Sequence, residues 1–216
     1  IVLPGFAPLV VDGRQVRMGA GRSYDFASGL LPLATAALGQ PLTGSLDLEF
    51  ESGGGYRRVP RTPLSIMEAN DHHVVLTGAA ALDDSLVIET VIRVEYDGLA
   101  TVDLTLRPTG RVAVGRLALT IPVARSRDTR LLAYDTESYA YKKPELHSLC
   151  RSAGYKNVLG FTDTTRSFWF ITDEPAFTVP TGERPPTELS CTPDQVQVRQ
   201  PLLPALTLDA PLTLRF

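Results

Sequence analysis

The feature that most constrains the fold of this chain is a two-residue alternation of apolar and polar side chains, interrupted by short turn sequences. The alternation is clearest in SLVIETVIRVEYDGLATVDLTLRP, residues 85–108, where Asp97-Gly98 separates two alternating runs. A period of two places successive side chains on opposite faces of a β-strand. Asp-Gly favours a tight turn because both residues tolerate a positive φ. The segment therefore predicts a β-hairpin of two half-buried strands.

The same punctuation recurs along the chain and predicts further hairpins. Asp12-Gly13 interrupts PLVVDGRQVRM in the same way, and three glycines at residues 53–55 separate SLDLEFE from YRRV. Within the longer hairpin, Val87 and Ile92 fall on different faces of an ideal strand. We therefore expect either a β-bulge there or burial of both faces.

Proline and glycine limit the length of every regular segment. The chain has 17 Gly and 17 Pro among 216 residues, and they separate short apolar runs almost throughout. Only ELHSLCRS, residues 145–152, has the composition of a short helix. Many short strands with frequent turns are typical of antiparallel sheets packed face to face. We predict an all-β fold, a large antiparallel two-sheet sandwich with almost no helix, in a single domain of residues 1–216.

Composition argues against several classes of partner. The net charge is −3, and acidic and basic residues are interspersed, so no basic stripe suits a nucleic acid or an anionic membrane surface. No apolar run approaches the length of about 18 residues that a membrane helix needs. Cys150 and Cys191 lie outside any C-x-x-C pattern, so a disulfide and two buried thiols are both compatible with the sequence. The start at Ile1 indicates a processed chain or one cut from a longer protein.

Motifs for catalysis, metals and cofactors are absent from the sequence. There is no G-x-S-x-G elbow, P-loop or dinucleotide fingerprint, so we expect no cofactor and assign no catalytic residue. His72 and His73 are adjacent and would point to opposite faces of a strand, which favours a polar hairpin tip over a metal site. The acidic pairs at residues 83–84 and 173–174 are predicted to be turn residues rather than a glycosidase pair.

Aromatic residues give the candidate ligand contacts. Residues 124–156 are polar and weakly periodic, and they contain Tyr134, Tyr139 and Tyr141. Tyrosine and tryptophan combine an apolar ring face with a polar edge, which suits stacking on a sugar as well as packing at an interface. These three tyrosines and Trp169 are therefore the candidate ligand-contact residues. The alternative is that the tyrosines only anchor a long loop over the sheet.

The single tryptophan lies in NVLGFTDTTRSFWF, residues 157–170. If RSFWF is a strand, Phe168 and Phe170 share one face and Trp169 lies on the other. The turn at residues 163–165 would pair this strand with VLGF. We predict that the two phenylalanines belong to the core and that Trp169 covers the second face or meets a neighbouring domain.

Several longer segments carry a family resemblance. In order, they are VLPGFAPLVVDGRQV, GRSYDFASGLLPLATAALGQPL, VEYDGLATVDLTLRP, LALTIPV, GFTDTTRSFWFITDEPAF and VQVRQPLLPALTLDAPLTLRF. Together they cover nearly the whole chain and resemble the N-terminal β-sandwich domain of glycoside hydrolase family 123-like proteins. The resemblance implies a β-supersandwich of mutarotase-like architecture, followed in those proteins by a (β/α) barrel that carries the acidic catalytic residues. It also favours a bacterial-type, extracytoplasmic protein.

The resemblance leads to a functional expectation with two alternatives. We expect a non-catalytic domain of a carbohydrate-active, glycoside-hydrolase-like protein, which packs against a catalytic barrel or shapes its cleft. An apolar exposed patch near Trp169 would follow from that packing. The first alternative is a stand-alone structural or binding module that forms a homo-oligomer or a surface assembly. The second is a mutarotase-like enzyme that acts through His72 or His147 together with a carboxylate.

Overall fold

The structure, a computed structural model, consists almost entirely of β-strands. It describes residues 7–27, 29–32, 34–52, 55–125, 128–134, 158–172 and 187–216, with the backbone alone at residues 52 and 131–134. These residues form twenty strands and no helix, which confirms the all-β prediction. The short helix predicted at residues 145–152 lies outside the described residues.

The strands are numbered in chain order. They are β1 (Val10–Asp12), β2 (Gln15–Met18), β3 (Arg22–Asp25), β4 (Ala34–Ala37), β5 (Gln40–Thr43), β6 (Asp47–Ser52), β7 (Gly55–Arg58), β8 (Ser65–Ala69), β9 (His73–Asp83), β10 (Leu86–Glu95), β11 (Ala100–Pro108), β12 (Val112–Val114), β13 (Leu117–Ala124), β14 (Arg130–Tyr134), β15 (Val158–Thr162), β16 (Ser167–Ile171), β17 (Glu188–Cys191), β18 (Gln195–Leu203), β19 (Leu206–Leu208) and β20 (Leu212–Arg215).

Four antiparallel sheets contain these strands. The large sheet has ten strands in the order β1-β2-β3-β4-β5-β13-β18-β17, with β6 joined to β13 and β7 joined to β6. The five-stranded sheet has the order β20-β11-β10-β9-β8. A three-stranded sheet has the order β14-β15-β16, and β12 pairs with β19 in a two-stranded ribbon. The large and five-stranded sheets are packed together, which confirms the predicted sandwich.

The predicted hairpins form where the turn sequences placed them. Gly13 has a φ of 61° between β1 and β2, and Gly98 has a φ of 93° between β10 and β11. Both values lie in the left-handed region that glycine adopts without steric cost. The register between β9 and β10 shifts between Leu86 and Val87, at the start of β10. Beyond that point burial on β10 alternates without a break, and Val87 is half-buried on the face opposite Ile92.

One hydrophobic core joins the sheets. On β10 the buried side chains alternate with more exposed ones, and Ile88 and Ile92 have no accessible surface. Leu119 and Ile121 of β13, in the large sheet, belong to the same buried cluster. Complete burial of such a side chain contributes about 1.5–3 kcal/mol. The alternation read from the sequence therefore becomes the packing between the two main sheets.

The core contains a hydroxyl group, that of Thr90, without a hydrogen-bond partner among the described residues. Its side chain is fully buried, and its Oγ1 has no hydrogen-bond partner in the described part of the chain. A buried hydroxyl without a partner is destabilising, so Thr90→Val should raise the free energy of unfolding by about 1 kcal/mol. Urea denaturation measures the change. Thr105→Val is the control, because the Thr105 hydroxyl is exposed and bonds the Thr213 hydroxyl at 2.9 Å. A loss of stability in Thr90→Val would contradict the prediction.

Candidate functional site

A cavity of about 730 Å³ lies where three of the sheets meet. One wall comes from β2 to β5 of the large sheet, and a second comes from the first residues of β11 in the five-stranded sheet. The third wall is β16 of the three-stranded sheet, and Phe216 also borders the cavity. This volume is within the range of small-molecule binding sites, roughly 300–1,000 Å³.

The wall formed by β16 has the two faces that the sequence predicted. Phe170 is buried, and its ring centroid lies 5.5 Å from that of Phe216. Phe168 is partly buried against the same core. Trp169 and Ile171 lie on the other face and are 44% and 55% exposed. The core assignment is therefore confirmed for Phe170, whereas Phe168 packs against the core and remains half-buried. Trp169 borders the cavity where it meets solvent.

Trp169 is positioned by a glycine on the adjacent strand. Gly160 of β15 pairs directly with Trp169 across the sheet. A Cβ atom at Gly160 would lie 2.4 Å from Cζ3 and 2.6 Å from Cε3 of the indole. The ring therefore covers the Gly160 backbone, a cross-strand pairing in which an aromatic ring fills the space above a glycine. A side chain at residue 160 would displace the indole.

A polar turn fixes the register of that pair. Asp163 Oδ1 accepts hydrogen bonds from the backbone N–H groups of Thr165 and Arg166, each at 2.8 Å. Arg166 Nη2 lies 2.6 Å from Asp163 Oδ2. The Thr165 N–H and then the Arg166 side chain hold the pKa of the Asp163 carboxyl well below its ordinary range. Because this short turn closes the β15–β16 hairpin, it sets Gly160 opposite Trp169.

Replacement of Asp163 with asparagine should lower stability in a pH-dependent way. The folded-state pKa lies below the unfolded value of about 4, so the carboxylate stabilises the fold above that pH and less as the pH falls below it. We expect Asp163→Asn to cost about 1 kcal/mol at pH 7, with a smaller difference from the wild type at pH 3. Urea titrations at both pH values measure this. A difference that grows on acidification would refute the assignment.

The second wall depends on two polar side chains of β3. Tyr24 Oη donates a hydrogen bond to the Gly98 carbonyl at 2.8 Å, and burial raises the pKa of Tyr24 to about 12. Arg22 Nε donates to the Gly19 carbonyl at 3.0 Å, and Arg22 Nη1 donates to the Asp97 carbonyl. A Cβ at Gly98 would lie 2.8 Å from Arg22 Nη1. Glycine at this turn therefore permits a close contact between the two main sheets.

The cavity is apolar apart from a few polar groups. Its apolar lining includes Leu31 and Leu42 besides the aromatic residues of β16. Among the described lining residues, the charged ones are Arg22 and Arg215. Arg215 makes two hydrogen bonds to the Asp103 carboxylate, at 2.6 Å and 2.9 Å. Such a site suits the burial of an apolar group with a small number of oriented polar contacts.

The structure places only part of the predicted aromatic set. Trp169 borders the cavity. Tyr134 ends β14 and pairs with Val158, which itself lines the cavity, but the Tyr134 side chain lies outside the described residues. Tyr139 and Tyr141 also lie outside the described residues. The prediction that these three tyrosines contact a ligand stays a prediction.

The histidines form the polar hairpin tip that was predicted. Asn70 Oδ1 accepts the backbone N–H of His72 at 2.9 Å, and His73 Nε2 lies 2.9 Å from Glu68 Oε1. In the described ranges, no group of three or more His, Cys, Asp and Glu residues is arranged to hold a metal ion. His147 lies outside the described residues.

Two further findings bear on the sequence expectations. Cys191 is disulfide-bonded, whereas the sequence left a free thiol open. No helix among the described residues has the length and hydropathy of a membrane crossing.

Sequence reasoning missed the contact between the first two walls of the cavity. Arg22 and Tyr24 lie in GRSYDF, which contributed only to the family resemblance, and Leu99 follows the hairpin turn at Gly98. The sequence around Arg22 and Tyr24 predicts a strand, and the sequence around Gly98 predicts a turn. Neither pattern indicates that the two elements contact each other. The signal for Gly160 was present, because a turn at residues 163–165 places it opposite Trp169.

Comparison of the chain with protein-family models, with curated proteins and with solved structures finds no match. The resemblance to glycoside hydrolase family 123-like proteins therefore stays an expectation from sequence.

Proposed function

We propose that this chain is a non-catalytic β-sandwich binding domain and that the cavity beside Trp169 is its binding site. The observation that carries the proposal is the apolar cavity of about 730 Å³ at the junction of three sheets. Large apolar pockets with a few convergent polar groups are the usual location of ligand sites in proteins. The fold alone would not support this function, because sandwiches have many functions.

The lining favours an apolar ligand group over a bare sugar. A free sugar presents hydroxyl groups on every side, and each of them loses water on entering a cavity without hydrogen-bond partners. The cavity instead offers Leu31, Leu42 and Phe168, among other apolar side chains. A sugar could stack on the exposed face of Trp169, but such contact would occur at the rim.

A second proposal concerns the setting of the domain. Three large apolar side chains at the cavity are exposed: Leu99 at 58%, Trp169 at 44% and Ile171 at 55%. Exposed apolar clusters frequently mark contacts with another domain or protein. We propose that this rim packs against the catalytic barrel of a glycoside-hydrolase-like protein, as the family resemblance implies. The mass of the native gene product tests the idea, because a barrel adds about 250 residues.

Tryptophan fluorescence tests the binding site directly. Trp169 is the sole tryptophan of the chain and borders the cavity, so its emission reports on the edge of the cavity. We expect a blue shift on titration with short aliphatic or aromatic compounds, because they exclude water from the indole. Ala36→Phe should remove the response, because Ala36 lines the cavity and the added ring occupies it. Isothermal calorimetry provides the affinity.

A control separates cavity binding from stacking at the rim. With oligosaccharides, a response retained in Ala36→Phe but lost in Trp169→Ala would indicate stacking on the exposed indole and contradict cavity binding. Thr105→Val is a matched variant on an exposed surface of β11 outside the described lining of the cavity, and it should titrate like the wild type. If no compound in either class shifts the emission, the binding-domain proposal fails.

A further inference from the structure

We propose that Arg22 is an anion-binding residue and that the cavity holds an amphipathic carboxylate, with the carboxylate on Arg22 and the apolar body inside. The inference rests on the proposed function, because it specifies the ligand class of the same cavity. It follows from the hydrogen bonding of Arg22, from the charges around the cavity and from the apolar character of the lining.

The guanidinium of Arg22 is held in place but is not neutralised. Its Nε and Nη1 donate to the backbone carbonyls of Gly19 and Asp97. Its Nη2 makes no hydrogen bond, and the residue makes no ion pair, with any residue that the structure describes. A partly buried cation gains strongly from an anionic hydrogen-bond partner, because carbonyl groups satisfy its donors but not its charge.

The other charged groups near the cavity leave this cation available. Arg215 lines the cavity as well, but the Asp103 carboxylate binds it through two hydrogen bonds. No described lining residue is acidic. Asp97, whose carbonyl binds Arg22, is exposed, and its carboxylate accepts the Leu99 N–H at 3.0 Å. The described lining thus carries one unpaired positive charge, which matches a monoanion.

The shape of the site favours a carboxylate with an apolar body. A guanidinium with one remaining nitrogen can donate to a carboxylate oxygen, whereas a phosphate dianion would need further donors. Beyond Arg22 the cavity is bordered by Leu42, Phe168 and other apolar side chains. The burial of a hydrocarbon chain there removes apolar surface from water, which favours binding in proportion to the chain length. The hydrocarbon therefore provides most of the affinity, and Arg22 selects the anionic end.

Decanoate and decanol are the probes, because they differ only in the head group. Calorimetry and Trp169 emission should show that the wild type binds decanoate at least about tenfold more tightly than decanol. Arg22→Ala should remove this preference while decanol still binds, which also shows that the cavity is folded. Arg22→Lys keeps the positive charge but lacks the planar guanidinium group, so it should retain part of the preference for decanoate.

Arg17→Ala is the matched control, because Arg17 is an exposed arginine on the adjacent strand and is paired with Asp12. It should leave the preference for decanoate intact. Equal binding of decanoate and decanol, unchanged in Arg22→Ala, would overturn the anion site and leave the proposed binding cavity standing. If the wild type binds neither probe, the inference fails, and the titration with other apolar compounds decides the proposed function separately.

Discussion

Replacement of Gly160 with alanine should lower the free energy of unfolding by about 2–3 kcal/mol and should weaken the binding of every ligand to the cavity. The reason is steric: the new methyl group would occupy the position of the indole, whose nearest atom is 2.4 Å away. Either the strands separate or Trp169 rotates into solvent, and overpacking of this kind typically costs about 1–3 kcal/mol. The red shift of the Trp169 emission measures the displacement, and urea denaturation measures the cost.

Two variants show whether the indole is the cause. Gly110→Ala is the control, because a Cβ at Gly110 meets no atom within 4 Å and should change stability little. The double variant Gly160→Ala/Trp169→Ala should cost less than the sum of the single changes, because without the indole the methyl group has nothing to displace. If the losses in free energy of unfolding are additive, the contact between Gly160 and Trp169 does not position the β16 wall of the cavity.

Of the changes proposed here, loss of the disulfide at Cys191 should lower the free energy of unfolding the most. The sequence contains one other cysteine, Cys150, which lies outside the described residues, so a bond within one chain requires it as the partner. A bond between these positions encloses about 40 residues and restricts the unfolded chain, which stabilises the fold by about 4 kcal/mol. Cys191→Ser should therefore unfold at a much lower urea concentration than the oxidised wild type.

The redox state provides the matching control. Reduced and alkylated wild type should resemble Cys191→Ser in urea, and alkylation without reduction should add no mass to the oxidised protein. A non-reducing gel that shows a covalent dimer would exclude the bond within one chain. Equal stability of oxidised and reduced protein would exclude a stabilising role. Disulfides of this kind are typical of oxidising compartments.

Hairpins could be predicted from the sequence because each one depends only on residues that are close together in the chain. Asp97-Gly98 predicted a turn, and the alternation in residues 85–108 predicted two half-buried strands, and the structure confirms both. The faces of β16 followed from the same period of two. These features depend on neighbouring residues, so a single sequence contains them.

The cavity could not be predicted in the same way. Its walls come from segments far apart in the chain, and Arg22 contacts a carbonyl 75 positions away. A strand pattern states which face is buried but not which distant strand it meets. The pairing order β5-β13-β18 in the large sheet is likewise not readable from local turns. Strands β6 to β12 lie between β5 and β13 in sequence, and β14 to β17 lie between β13 and β18.

The indole resting on Gly160 also has an evolutionary consequence. A glycine in the middle of a strand is normally unfavourable, so drift would replace it with alanine or a β-branched residue. Here that replacement is blocked as long as tryptophan occupies position 169. The two positions are therefore coupled, and only a descendant that had lost the aromatic ring would be free to acquire a larger side chain at position 160. Paired substitution at these sites would mark lineages in which the cavity had lost its selective value.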